Sequence, residues 1–236
     1  MRIALAQIAA LVSPAEGFDA RTAERLFRLG LPDTVEVRLG PALLAHLCEA
    51  APGIRLRVSS TERLLDELDA DHLDLGVGLG PLPEGQTHHK RRLLGTDTYA
   101  CMFNADLIGV SPPISLEDYV RLPHVLTSLR KDEHGVVDEA LAKLGLRRTV
   151  ALTTSRFMAV PFLVAGAPVV TTMPAKSARF FAASLGLSLS PTPVKLPEPS
   201  AALVWHASYD HDPAHMWLRR TIMRLTAELG WTSGPV

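Results

Sequence analysis

The chain has 236 residues, room for one large domain or two small ones. Apolar residues make up 47% and charged residues 21%, which excludes disordered, collagen-like and coiled-coil classes. A formal net charge of −1 gives the chain as a whole no electrostatic means of gripping nucleic acid or an anionic membrane. Two cysteines, Cys48 and Cys101, make neither a disulfide framework nor a four-cysteine metal site, and read as two buried thiols in a reducing cytoplasm.

In chain order, Met1–Val12 reads as an amphipathic helix, because Ile8 and Val12 lie four apart and Ile3 and Leu11 eight apart. A signal peptide is the alternative, weakened by Gln7 and by the lack of a clean small-x-small cleavage site. Pro14–Ala20 reads as a linker. Arg25–Leu31 alternates as a strand, and Asp33 is placed to cap a helix running to about Ala50. Ile54–Val58 is a half-buried strand. A helix starting at Ser60-Thr61-Glu62 puts Leu64, Leu65 and Leu68 on one face. Leu73–Leu79 is a buried strand and Leu93–Phe103 a longer one.

After Pro112-Pro113 the rhythm resumes, with a short helix at Leu116–Val120 and strand His124–Ser128. Helix Val136–Leu144 leads to strand Thr149–Thr153, and helix Arg156–Ala165 to strand Pro168–Thr172. Helix Ala175–Leu185 stops at Gly186. Strand Ala202–His206 precedes a final helix with Asp212 as its cap and Pro213 as its first residue. Such alternation predicts α/β lobes with parallel sheets covered by helices, the last strand and helix returning to the first lobe. The charge-free stretch Phe157–Ala175 is long enough to span a bilayer, but its three prolines would break a spanning helix. A buried helix followed by a buried strand fits it better.

Motifs of known chemistry are weak. Gly76-Val77-Gly78-Leu79-Gly80 has the spacing of a dinucleotide loop, but Pro81-Leu82-Pro83 forbids the helix that such a loop must open, so it reads as a plain loop. His211 and His215 have metal-ligand spacing but lack a third ligand, and read as solvent-facing or capping histidines. His88-His89-Lys90-Arg91-Arg92 reads as a solvated basic run between strands. Ser128, Thr154 and Ser155 lie at strand-to-helix turns, which suit holding a ligand rather than attacking one, since no base is placed beside them. No catalytic residue, metal site or cofactor is expected.

The residues themselves are similar to a known family. Leu73-Asp74-Leu75-Gly76-Val77-Gly78 through Thr98-Tyr99-Ala100-Cys101 resembles the effector-binding domain of LysR-type transcriptional regulators. So do Ala51-Pro52-Gly53-Ile54-Arg55-Leu56, Val137-Asp138-Glu139-Ala140-Leu141 and Phe157–Ala175. Trp205-His206 with Asp212-Pro213-Ala214-His215-Met216-Trp217-Leu218-Arg219 resembles the subgroup of nodulation and aromatic-degradation regulators. The likeness runs from about Ala20 to Leu229, and Met1–Val12 resembles the tail of the family's linker helix.

The resemblance implies a type-2 periplasmic-binding-protein-like fold, two Rossmann-like lobes joined by crossover strands near Thr96–Cys101 and Leu203–His206. Residues 1–20 are then a remnant of linker helix and linker, 21–97 with 202–236 one lobe, and 98–201 the other. It implies a small aromatic or organic-acid effector in the interlobe cleft, modulating transcription by the full-length oligomer. Matched to the family, Asp33, Thr34, Ser128 and Arg130 fall at effector-contacting turns. Phe157 and Met158 fall on a wall of the pocket, Thr172 and Met173 at a strand end, and Tyr99 and His206 at the hinge. Phe157, Met158 and Met173 read equally well as core. Ala207-Ser208 stand where a basic residue often follows the Trp-His pair, leaving Arg130 or Arg156 to meet a carboxylate. Expected partners are the effector and a second copy (a homodimer here, a tetramer at full length). Promoter DNA is met only through a winged helix-turn-helix outside this chain, with no membrane and a cytoplasmic location. A periplasmic solute-binding protein of the same fold is the alternative; an enzyme on that fold is a weaker rival.

Overall fold

A computed structural model describes residues 18–80, 88–128 and 134–231. The chain forms two compact units, one of residues through Thr96 together with those from Ser200, the other Asp97–Pro199.

In the first unit, β1 (Arg25–Gly30), β2 (Ile54–Ser59) and β3 (Leu75–Leu79) run parallel, while β10 (Ser200–His206) is antiparallel between β3 and β4 (His89–Thr96). The sheet order is β2-β1-β3-β10-β4. Helix α1 (Asp33–Ala50) buries Val35, Leu39, Leu43 and Leu47, a single stripe at four-residue spacing. That stripe joins Phe27, Leu29 and Leu203 of the sheet and Leu218, Ile222 and Leu225 of α8 (Pro213–Glu228) in one core. Each such side chain contributes roughly 1.5–3 kcal/mol on burial. Pro41 sits inside α1 on its exposed face, where its missing N–H removes one helical hydrogen bond. Asp212 caps α8 as expected, accepting from the His215 N–H at 2.9 Å, and its carboxylate also accepts from Arg25 of β1 at 2.7 Å.

The second unit has sheet order β7-β6-β8-β5-β9. Strands β6 (Pro123–Thr127), β7 (Thr149–Thr154) and β8 (Val170–Pro174) are parallel; β5 (Tyr99–Phe103) runs antiparallel to β8 and β9 (Ser188–Pro191). Its helices are α3 (Ala105–Ile108), α4 (Leu116–Arg121), α5 (Val136–Ala142), α6 (Val160–Gly166) and α7 (Ala175–Leu185). Cys101, Met102, Phe103, Tyr119 and Leu141 are fully buried beneath them.

Several sequence expectations need correction. Both sheets are mixed rather than parallel, because alternation along β10 cannot reveal which way its neighbours run. The single strand expected over Leu93–Phe103 is two, broken at Asp97-Thr98 where the chain leaves the first unit. The second crossing lies at Pro199/Ser200, not at Leu203–His206. Asp33 is the first helical residue of α1 and Pro32 takes the cap position, so no side chain caps that helix. His89–Arg92 belong to β4, an edge strand whose Lys90, Arg91 and Arg92 face solvent and block sheet-to-sheet pairing. Cys48 is exposed; only Cys101 is buried, and burial pushes its thiol up to about 12. Phe157–Ala175 forms a short 3-10 turn, α6 and β8, and no helix among the described residues is long and apolar enough to cross a membrane. Residues Met1–Val12 lie outside the described part.

Gly76 and Gly78 lie within β3 rather than in a loop. A Cβ on Gly76 would stand 2.2 Å from Leu64 Cδ1 and 3.0 Å from the Gly30 carbonyl oxygen, so glycine lets α2 (Leu64–Asp69) press directly on the sheet. Gly76→Ala is expected to cost about 1–3 kcal/mol through overpacking. Urea unfolding checks it; an unchanged midpoint would mean that Leu64 simply rotates away.

Candidate functional site

In an open α/β sheet, ligands gather beyond the carboxyl ends of the parallel strands, where helix N-termini expose backbone N–H groups. In the second unit that end is built by Thr127-Ser128 leaving β6, Thr154 leaving β7 and Pro174 leaving β8. Tyr99, which pairs with Pro174, enters β5 beside them. The Ser128 N–H donates to the Thr154 carbonyl at 3.0 Å, locking two of the exits together. The Thr154 hydroxyl accepts from the Arg156 N–H at 3.1 Å and turns the chain into the 3-10 segment Phe157–Ala159. Arg156 itself is exposed at this end.

Tyr99, Ser128 and Met158 are half-buried here. Phe157 and Met173 are almost fully covered, Phe157 against Phe181 with ring centres 6.1 Å apart. Thr172 turns the other way. Its hydroxyl is hydrogen-bonded to the Tyr119 hydroxyl at 2.6 Å and lies 3.9 Å from Cys101 Sγ, inside the unit's core. Tyr99 also borders a cavity of about 340 Å³ lined by Thr98 and the stretch Thr192–Glu198. Burial, and then the charge of Asp97, holds its phenol above the ordinary value.

One residue here escaped the sequence reading. The Asp97 carboxylate accepts from the Thr98 N–H at 2.8 Å and from the Lys176 N–H at 3.1 Å. It thereby places a negative charge against the first turn of α7, which opposes a second anion there. An acid 79 positions before the helix it caps leaves no local spacing signal.

In the first unit, Asp33 and Thr34 lie half-buried beyond the carboxyl end of β1, and the Pro32 carbonyl accepts from Val35 and Glu36. Thr96 and Ser200 lie at the same end of that sheet, since Ser200 pairs with Thr96 and Ala201 with Leu79. His206 does not. It pairs with His89 at the opposite end of β10, about 20 Å away at 3.3 Å per residue, so the first unit does not bring it to Asp33 and Thr34. Arg130 lies outside the described residues.

His215, read as solvent-facing or capping, is fully buried. Its Nε2 donates to the Asp74 carbonyl at 2.8 Å and its Nδ1 accepts from Arg219 at 3.0 Å, leaving neither nitrogen for a metal. Asp74 in turn binds Arg28 through its side chain at 2.6 Å, so the amino end of β3 is pinned by a buried ion pair.

With the two sheets and their turns described, comparison with known proteins identifies the class. Residues 20–227 match the family described as LysR substrate binding domain, and the chain belongs to it. It is the ligand-sensing domain of a LysR-type transcriptional regulator. It is 33% identical to the HTH-type transcriptional activator NagR of Ralstonia sp over 90% of this chain and 71% of that protein. It is likewise 33% identical to the activator NahR of Pseudomonas putida, over 89% of this chain and 70% of that one. Among solved structures it is similar to the regulatory domain of MexT, a transcriptional activator in Pseudomonas aeruginosa. That likeness has 30% identity and a TM-score of 0.75, over 86% of this chain and 99% of that one. These relatives are regulators of transcription, which favours sensing over the periplasmic transport alternative and over catalysis.

Proposed function

We propose that the carboxyl end of the second unit's sheet binds a small aromatic or organic-acid effector. The observation that carries this reading is the grouping of half-buried Tyr99, Ser128 and Met158 at the exits of parallel strands beside the covered rings of Phe157 and Phe181. Polar donors there fix the orientation of a ligand, and the apolar wall supplies contact area. Arg130 or the exposed Arg156 is proposed as the cation that a carboxylate would need. Asp33 and Thr34 are proposed as effector contacts of the first unit. The chain is further proposed to be cytoplasmic and to pair with a second copy, assembling as a tetramer at full length. The full-length regulator reaches promoter DNA through its helix-turn-helix part.

Calorimetric titration with monocyclic aromatic carboxylates tests the site. Ser128→Ala and Thr34→Ala should each weaken binding by about 0.5–1.5 kcal/mol, and Arg130→Ala by about 1.5–3 kcal/mol for a charged ligand. Unchanged affinity in all three variants would place the effector elsewhere.

A further inference from the structure

At the amino end of β3 in the first unit lies a cluster that neither the core nor the effector turns use. Asp69, the last residue of α2, offers its Oδ1 to two consecutive imidazoles, 2.8 Å from His89 Nε2 and 3.4 Å from His88 Nε2. One ligand atom from each of the three lies within 4.8 Å of the others. Neighbouring residues in a regular strand point to opposite faces. His88 precedes β4, and there the chain turns so that both rings converge on one oxygen, their centres 4.3 Å apart.

The geometry points to a metal. A tetrahedral Zn²⁺ site with bonds of about 2.0–2.2 Å has ligand-to-ligand edges of roughly 3.3–3.6 Å. The Asp69–His88 separation of 3.4 Å already meets that, and the Asp69–His89 separation of 2.8 Å needs to open by only about half an ångström. His206 closes a third side with its ring 5.6 Å from His88 and 6.2 Å from His89. Its Nδ1 accepts from the Ser208 N–H at 3.2 Å, which assigns the proton of the neutral ring to Nε2 and makes His206 a wall rather than a ligand.

We propose that Asp69, His88 and His89 form a binding site for a divalent transition metal of the Zn²⁺ class, with water completing its coordination. Two imidazoles and one carboxylate suit Zn²⁺, Ni²⁺ or Cu²⁺, and not Mg²⁺ or Ca²⁺, which take oxygen ligands. A bound ion ties the end of α2 to the start of β4, so it stabilises the first unit by mass action.

The test is titration of the untagged chain with ZnCl₂ by calorimetry and with CoCl₂ by visible absorption. One equivalent should bind per chain, and Zn²⁺ should raise the melting temperature. Affinity should fall at least about tenfold in His88→Ala/His89→Ala and in Asp69→Asn, but less than about threefold in His206→Ala. Mg²⁺ should give neither signal. Circular dichroism without metal shows whether the double variant folds; if it does not, Asp69→Asn, which keeps the side-chain shape, decides alone. Absence of saturable one-to-one binding, or equal affinity in the folded variants, overturns the assignment.

Discussion

Replacing Arg148 with methionine is expected to lower the unfolding free energy by about 3–5 kcal/mol, because it leaves a carboxylate without its partner in a largely closed site. The Arg148 side chain is 1% exposed, and its guanidinium meets both oxygens of Asp138 at 2.9 and 2.8 Å. A third donor reaches His124 Nδ1 at 3.3 Å. Burial pushes the Asp138 carboxyl up, but hydrogen bonds from Arg148 and the Gly135 N–H outweigh it and hold the group below its ordinary value. Urea unfolding measures the loss, with exposed Arg147→Met as the control. Arg148→Met/Asp138→Leu should recover part of the stability, since an apolar pair leaves no charge stranded. A loss below about 1 kcal/mol for the single variant would show that water reaches this pair in the folded state.

Acid should destabilise the protein before most of its carboxylates titrate. His124 and His215 are both fully buried, and burial lowers each to about 4 from an ordinary 6.5. Each donates from Nε2 to a carbonyl, Tyr119 and Asp74 respectively, and turns Nδ1 toward an arginine that repels a second proton. The unfolded chain therefore binds protons between pH 6.5 and 4 that the folded chain refuses, so stability is full above pH 6.5 and falls as the pH drops through that window. The expected loss between pH 7.5 and 5 is about 2 kcal/mol per histidine, about 4 kcal/mol together. His206, held below its ordinary value by burial, adds in the same direction. Urea midpoints across that range check it, and His124→Gln should remove about half of the dependence. A flat profile from pH 7.5 to 5 would contradict it.

These two arginine–histidine pairs also show where sequence reading reaches its limit. Helix α7 with Gly186 at its end, and α8 with Asp212-Pro213 at its start, carry their boundaries in local residue types, and the structure places both where those residues put them. The Phe157–Ala175 stretch is equally legible, because three prolines exclude a spanning helix whatever the fold. By contrast, His124 meets Arg148 across 24 positions and Thr172 meets Tyr119 across 53, so periodicity reveals neither contact. The carboxyl end of the second unit's sheet was partly legible, since strand-to-helix turns at Ser128 and Thr154 follow from the alternation. That Asp97 already caps α7, and that His206 faces away from Asp33, depend on strand register and on a crossing that no local pattern encodes. His88–Arg92 misled for another reason: a charged edge strand and a solvated loop have the same composition.

We propose that this chain senses a small molecule at the carboxyl end of the second unit's sheet. Calorimetry of the chain with a panel of monocyclic aromatic carboxylates and phenols, repeated on Ser128→Ala, tests it most directly. Saturable one-to-one binding by at least one of them is expected, weakened by about 0.5–1.5 kcal/mol in the variant while the urea midpoint stays unchanged. Tight binding that Ser128→Ala leaves untouched, or no binding across the whole panel, would contradict it.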